Sequence, residues 1–284
     1  MIDLRDAWRD LLARRRSLAA SLAPYGELLE RWAAYVPPRA GLSWSAERCR
    51  EIWARGLPLA VEARPPLDPA QIEDVLGDAM EAVAALDPAR APALQRLAGA
   101  WDAGAFGPEA LLPRREGIGD GGIEAASGLD VAAVTFLAYA TLRPMLDAWL
   151  APTRSHFADV PWGRGVCPFC GAPPGFVDVI EGGHRRLACH FCGGAWGFAK
   201  LRCPLCGAEG TKDLHRLQAE GEDAGYVIAG CHACQGYLKE LDRRERWNGG
   251  PPLLEDWASP HLDLVARRAG FVKPLPALLD LASR

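Results

Sequence analysis

The chain has 284 residues, enough for roughly two domains at about 150 residues each. With 49% hydrophobic and 24% charged residues it can bury a substantial core, which excludes a disordered chain. A net charge of -4 gives no global cationic field for nucleic acid or anionic lipid.

From residue 1 to about 160 the pattern is helical. Leu4, Trp8, Leu11, Leu12 and Leu18 fall on one helical face. Residues 14–17 read Arg-Arg-Arg-Ser and imitate a twin-arginine signal. The stretch 18–24 behind them is too short and too broken by serine for a signal's apolar core, so a helix's polar face is expected there. Pro37-Pro38 and Pro65-Pro66 interrupt the pattern. Asp68-Pro69-Ala70-Gln71 combines an N-cap, a first-turn proline and a box-closing glutamine, and leads into Ile72, Val75, Leu76, Met80 and Val83. Asp87-Pro88 repeats the start signal ahead of Leu94, Leu97 and Trp101. Residues 115–128, polar and rich in glycine, are expected to be a long loop. An apolar helix over 129–150 follows, with Pro144 as a possible kink. Its most apolar part, 131–142, falls short of the roughly 20 residues of a membrane span, so no membrane insertion is expected. The sum is an all-α domain of about six helices.

The texture changes near Trp162. Between Gly163 and Gly250 lie 17 of the 30 glycines and eight of the nine cysteines. Short β-type runs replace the helical period at 176–180, 186–188, 196–198, 214–217, 226–228 and 237–241, with Glu181-Gly182-Gly183 as a hairpin turn. After Pro251-Pro252 one helix is expected, started by Ser259-Pro260, given an apolar face by Leu262, Leu264 and Val265, and ended by Gly270. So short a tail must pack on the rest. The predicted architecture is α+β: a helical domain over 1–160, metal modules over 161–200 and 201–250, and a C-terminal helix and tail over 251–284.

The cysteines form four C-x-x-C pairs: Cys167/Cys170, Cys189/Cys192, Cys203/Cys206 and Cys231/Cys234. Two intervening residues let one tight turn aim both sulfurs at one metal. Pro168 and Pro204 pre-set that turn, and Gly171 and Gly207 suit the left-handed position that closes it. Cys-Pro-Phe-Cys-Gly and Cys-Pro-Leu-Cys-Gly are thus copies of one device, 36 residues apart, each followed by a second pair beyond a hairpin. Four thiolates in tetrahedral array suit structural zinc, and iron occupies the same cage. Eight thiols can form two sites from neighbouring, alternate or nested pairs. The repeat favours neighbours: Cys167, Cys170, Cys189 and Cys192 in one, and Cys203, Cys206, Cys231 and Cys234 in the other.

The histidines are not needed as ligands. His190 and His232, inside their C-x-x-C loops, are expected to be exposed, and His184 solvated, while His156, His215 and His261 show no partner pattern. Cys49 reads as a core or partly exposed thiol. Trp162, Trp196 and Tyr237 sit near the turns and are expected to shield the metals, although core packing alone would also explain them. Closed cages lack the open position of a catalytic zinc, and neither a phosphate loop nor a nucleophile elbow is present, so no enzyme activity is expected.

The chain resembles the formate dehydrogenase accessory proteins of the FdhE type. The resemblance rests on Cys167-Pro-Phe-Cys170-Gly, on Cys189-x-x-Cys192 followed by Trp196, and on the Leu-Arg-Cys203-Pro-Leu-Cys206 junction. It also rests on Cys231-His-Ala-Cys234-Gln-Gly-Tyr-Leu-Lys and the tail Ala258-Ser-Pro-His-Leu-Asp-Leu-Val, with Tyr237-Leu238-Lys239 the most distinctive local feature. It implies two rubredoxin-like modules holding iron, with zinc as the alternative. It further implies a cytoplasmic, chaperone-like protein that contacts the catalytic subunit of a respiratory formate dehydrogenase during its maturation. The competing functions are a rubredoxin-like electron carrier and a zinc-ribbon nucleic-acid binder. Charge opposes the latter: residues 161–250 carry eleven Lys/Arg and ten Asp/Glu, and each tetrathiolate site with a divalent ion adds about two negative charges. A carrier would have no use for so large a helical domain.

Overall fold

A computed structural model describes residues 3–37, 40–114, 117–118 and 121–282, which leaves Pro38 outside the described residues. In the N-terminal half these residues form α1 Leu4–Arg14, α2 Ala19–Leu22, α3 Pro24–Ala34, α4 Ala46–Ala54, α5 Leu59–Glu62, α6 Pro69–Leu86, α7 Ala91–Asp102, α8 Gly122–Ser127 and α9 Val131–Leu150. Six of these nine have at least nine residues, and α2, α5 and α8 are short. The expected loop over 115–128 is only partly a loop. The two-residue strands β1 Pro113–Arg114 and β2 Gly117–Ile118 pair antiparallel, and α8 follows between Gly121 and Gly128, both in left-handed conformation. Its anchor is Ile123, which is buried and whose carbonyl accepts from the Ser127 hydroxyl.

Helix α9 is the axis of this half and is buried along most of its length. Pro144 lies inside it and has no N–H for the carbonyl of Ala140, four residues back. The Trp32 indole N–H supplies the missing donor at 2.8 Å, so the apolar helix keeps its polar backbone satisfied at the break. At the N-terminus of α6, Asp68 accepts from the Ala70 N–H, with Pro69 in the first turn. Among the described residues no helix is long and apolar enough to cross a membrane.

The cysteine-rich half builds one sheet from β3 Phe176–Val179, β4 Arg185–Ala188, β5 Ala195–Gly197, β6 Leu214–Gln218, β7 Tyr226–Cys231 and β8 Tyr237–Asp242. The order is β5-β4-β3-β8-β7-β6. Each repeat gives three antiparallel strands, and the two sets join where β3 and β8 run parallel, with Val177 opposite Glu240 and Val179 opposite Asp242. Charge reinforces the seam: Arg185 of β4 lies 2.8 Å from Glu240, and Arg243 lies 2.6 Å from Asp178, all four largely buried. The β3–β4 turn uses Gly182 and Gly183, both at positive φ.

Two helices, not one, follow the diproline: α10 Pro252–Trp257 and α11 Pro260–Arg268. Ser259 does not cap α11, because its hydroxyl turns back to the carbonyls of Glu255 and Asp256. Nor do Leu264 and Val265 form the buried face; they are 51% and 44% exposed, while Leu262, Asp263 and Ala266 are buried. The physical reason is polar: Lys239 and Tyr237 draw Asp263 inward and set the helix rotation. Trp257 of α10 seats in the helical half, stacked on Tyr25 at 4.4 Å and edge-on to Trp8, so the tail ties both halves together.

Candidate metal centres

Four copies of one turn carry the cysteines. In each, the first cysteine's N–H donates to the carbonyl five residues on, at 2.8–2.9 Å, to Ala172, Gly194, Ala208 and Gly236 in turn. The residue after the second cysteine is left-handed each time: Gly171, Gly193, Gly207 and, at φ 56, Gln235. A left-handed residue there reverses the chain sharply enough to bring both sulfurs to one side. Gln235, which has a Cβ and therefore bears strain at that φ, donates from its side-chain amide to the His232 carbonyl at 2.9 Å.

The turns bring the eight cysteines into two groups. Site 1 joins Cys167, Cys170, Cys189 and Cys192; site 2 joins Cys203, Cys206, Cys231 and Cys234; within each, all four Sγ atoms lie within 4.8 Å of one another. Cys167 and Cys192 are 3.5 Å apart and Cys170 and Cys189 3.4 Å; in site 2 Cys203 and Cys234 are 3.9 Å apart and Cys206 and Cys231 3.7 Å. These gaps are far too long for disulfides. They fit a tetrahedral ion, whose sulfurs at about 2.3 Å would sit about 3.8 Å from one another. Either group could therefore hold a metal ion.

Burial pushes the Cys167 and Cys170 thiols well above their ordinary range. Burial works to raise Cys192 too, but hydrogen bonds from Cys167, Cys170 and Cys189 outweigh it and hold it well below. In site 2 burial raises Cys203 and Cys234. Protons thus compete for a cage that a cation would hold as four thiolates, and metal binding there must release protons.

The surroundings of the two sites differ. All four cysteines of site 1 are buried, whereas Cys206 and Cys234 of site 2 are exposed. The helical half grips both turns of site 1. The Trp53 indole N–H donates to Pro168 O at 2.9 Å, the Leu59 and Ala60 N–H groups donate to the Pro168 and Phe169 carbonyls, and Arg143 of α9 donates to the Cys189 and His190 carbonyls at 3.2 and 3.0 Å. Arg154 donates to the Cys192 carbonyl. Site 2 rests instead on neighbouring ribbon and tail. Val272 exchanges backbone hydrogen bonds with Gln235 and Tyr237, and His232 N–H donates to Asp213 O. Gly165 of the first module lies so close to this site that a Cβ would stand 1.7 Å from the Pro204 carbonyl oxygen.

His190 is not exposed. It is fully buried, with Nε2 3.0 Å from Asp256, because its turn faces the core rather than solvent. His232 and His184 are exposed. His215, His232 and the Phe271 ring lie 5.2–6.2 Å apart, and His261 pairs with Asp223 at 2.7 Å. Among the described residues none of the histidines joins a cysteine group. Cys49 is buried alone in α4. Trp162 and Trp196 are buried beside site 1 and donate to the Val166 and Arg164 carbonyls. Tyr237 donates to Asp263 at 2.7 Å.

Sequence reasoning overlooked a buried charge cluster between the sites. Lys239, fully buried, lies 2.6 Å from Asp263 and 3.1 Å from Asp256; Lys273 lies 2.8 Å from Asp256, which also meets His190. Asp256 thereby joins a site 1 turn, the strand leaving site 2 and the tail. The signal was a lysine at an inward position of the alternating run Tyr237, Lys239, Leu241, with two acids seven residues apart in the following helices.

A helical body carrying two tetracysteine ribbons fused into one sheet defines the class: a mixed helix-and-sheet protein with two candidate metal sites. No family model matches the chain. It is 31% identical to the Protein FdhE homolog of Stutzerimonas stutzeri (strain A1501), over 95% of this chain and 90% of that one. The Aquifex aeolicus FdhE homolog is 32% identical over 46% of this chain and 50% of its own. The crystal structure of the FdhE protein from Pseudomonas aeruginosa superposes with a TM-score of 0.62 at 25% identity, covering 96% of this chain and 93% of that one. The chain belongs to the FdhE family.

Proposed function

We propose that the chain is an accessory factor for the maturation of a respiratory formate dehydrogenase, the role that FdhE-type resemblance implies. The observation that carries this reading is the 31% identity across 95% of the chain. In this reading the protein works in the cytoplasm, contacts the catalytic subunit, and catalyses no reaction itself. Each group of four cysteines holds one ion, iron in rubredoxin-type coordination or zinc. When bound, the ion supplies a rigid, closed tetrahedral cross-link. Four thiolates fill the coordination of each ion and leave no open Lewis-acid position. What the chain itself contributes is shape: the cages fix four turns on one sheet, and the helical half holds that sheet in one orientation.

The test is a deletion strain. It should make the formate dehydrogenase polypeptide yet show little activity, and the intact gene should restore it, while Cys203→Ser combined with Cys206→Ser should weaken the complex between purified proteins. Normal activity in the deletion strain together with no detectable complex would overturn the assembly-factor reading. A second reading, a rubredoxin-like electron carrier, draws support from one feature, the exposure of Cys206 and Cys234. Reversible reduction of the iron-loaded protein without any effect on formate dehydrogenase would favour it.

A further inference from the structure

We infer that site 2 is an exchange site, where an incoming thiolate displaces a cysteine from the metal, and that site 1 is sealed. The inference rests on the reading that both groups bind metal. Three observations carry it. The first is the asymmetry of burial: Cys167, Cys170, Cys189 and Cys192 are at most 4% exposed, whereas Cys206 and Cys234 face solvent. The second is the source of support. Opening site 1 breaks hydrogen bonds from Trp53, Arg143 and the α5 backbone, whereas the second turn of site 2 is bonded to Asp213 of the ribbon and Val272 of the tail. The third is a route. A cleft of about 360 Å³ lies between the two modules, and Pro204, Leu205, Cys234, Gly236, Val272 and Pro274 are among its walls. Its walls are mostly apolar, with Arg114 and Lys273 the charged residues among them; it reaches the Cys234 side of the cage, and Val272 stands 68% exposed at it.

A soft anion of cysteine size fits this approach. With an ion held by Cys203, Cys206, Cys231 and Cys234, a thiolate entering along the cleft would take the place of the Cys234 sulfur, and the freed Cys234 thiolate would take a proton from water. No electron changes hands. The chemistry is shared by a small thiol and by a cysteine side chain of another polypeptide.

The experiment uses the full zinc-loaded chain, an excess of the chromogenic chelator 4-(2-pyridylazo)resorcinol, and either dithiothreitol or an unfolded cysteine-bearing polypeptide. Two equivalents of zinc should be present at the start. One should leave quickly, at a rate that rises with thiol concentration. The other should leave at least about a hundredfold more slowly and without thiol dependence, as expected when release waits on local opening of buried packing. Cys206→Ser should begin with one equivalent and show only the slow phase. Val272→Trp, which fills the cleft mouth and leaves all eight cysteines in the chain, should keep both equivalents and slow the fast phase about tenfold or more. Acceleration by dithiothreitol alone assigns a small thiol; acceleration by both assigns a cysteine side chain as well. Two equivalents leaving at one rate, a fast phase surviving in Cys206→Ser, or a Val272→Trp rate equal to that of the parent would each overturn the inference. Fewer than two equivalents at the start would overturn the metal reading beneath it.

Discussion

Sites 1 and 2 are built by the same turn, four times over, yet they sit in opposite environments. The turn is local: proline or glycine chemistry and a left-handed residue bring two sulfurs together whatever surrounds them. The environment is tertiary. Phe169, Phe191 and Trp196 wrap site 1, and the helical half bonds to its carbonyls, while site 2 keeps two sulfurs in water. A repeated motif thus supplies equal turns in unequal surroundings. The helical half makes the difference, which gives so large a domain a purpose beside such small ribbons.

Removing the metals should have the largest effect. Structural sites of this kind contribute apparent binding energies on the order of 10–16 kcal/mol in small modules. Stripping by a strong chelator should therefore expose residues 163–250 to protease while the helical half resists, and cleavage should begin around site 2, where packing is thinnest. Limited proteolysis with mass mapping checks both points. Cleavage starting at site 1 would break the comparison.

Next comes Lys239→Ala. It leaves Asp256 and Asp263 with one fewer partner in a buried setting, and breaking such a pair costs about 3–5 kcal/mol. Burial works to raise Asp256, but Lys239 and Lys273 outweigh it and hold its carboxyl far below the ordinary range. A depressed folded-state pKa gives stability that is complete above about pH 4 and is lost as pH falls through the folded value. Denaturant titration of the parent should therefore show an acid loss that Asp256→Asn flattens. Because Asp256 touches both His190 and Lys239, both sites should loosen together.

Much of the site was legible in the sequence because its signals are local. C-x-x-C pairs, proline, glycine and alternating runs act over a few residues, and six short strands lie within a residue or a few of where alternation puts them. What the sequence concealed is what long-range contacts decide. His190 and His232 occupy equivalent places in their turns, yet one is buried and the other exposed, since only tertiary packing distinguishes them. Leu264 and Val265 looked like a core face, but the charge of Lys239 turned Asp263 inward instead. The parallel β3–β8 seam joins strands about 60 residues apart, a pairing that neither repeat encodes by itself. Gln235, where the other three turns have glycine, takes the same left-handed conformation, and its side-chain amide donates to the His232 carbonyl.

Trp53→Phe sharpens the comparison at site 1 alone. The ring remains, so its edge-on contacts with Phe157 and Phe169 are largely kept, but the N–H to Pro168 O is lost. The Pro168 carbonyl keeps the Leu59 N–H, so losing its second donor should cost about 0.5–1.5 kcal/mol, the net worth of one hydrogen bond. Chelator release from site 1 should quicken, while release from site 2 stays unchanged. Equal acceleration at both would show that the helical half supports the ribbons as one body.

The smallest expected effect tests the link between α1 and the second module. Arg15 lies 2.5 Å from Asp223, which also meets His261, with side chains 12% and 21% exposed for the first pair. Burial works to raise Asp223, but Arg15 and then His261 outweigh it, so its carboxyl titrates below the ordinary range. Its contribution is therefore complete above about pH 4 and fades as pH falls through the folded value. A pair this near the surface contributes at most about 1 kcal/mol and is weakened by salt. Asp223→Asn should lower stability by that much at neutral pH, by less in high salt, and by nothing in strong acid. Metal content should stay the same at both sites, because site 2 draws its support from the ribbon and the tail. Loss of metal from site 2 in this variant would mean that the helical half braces that site too, through α1, and the contrast between the two sites would then lie in solvent exposure alone.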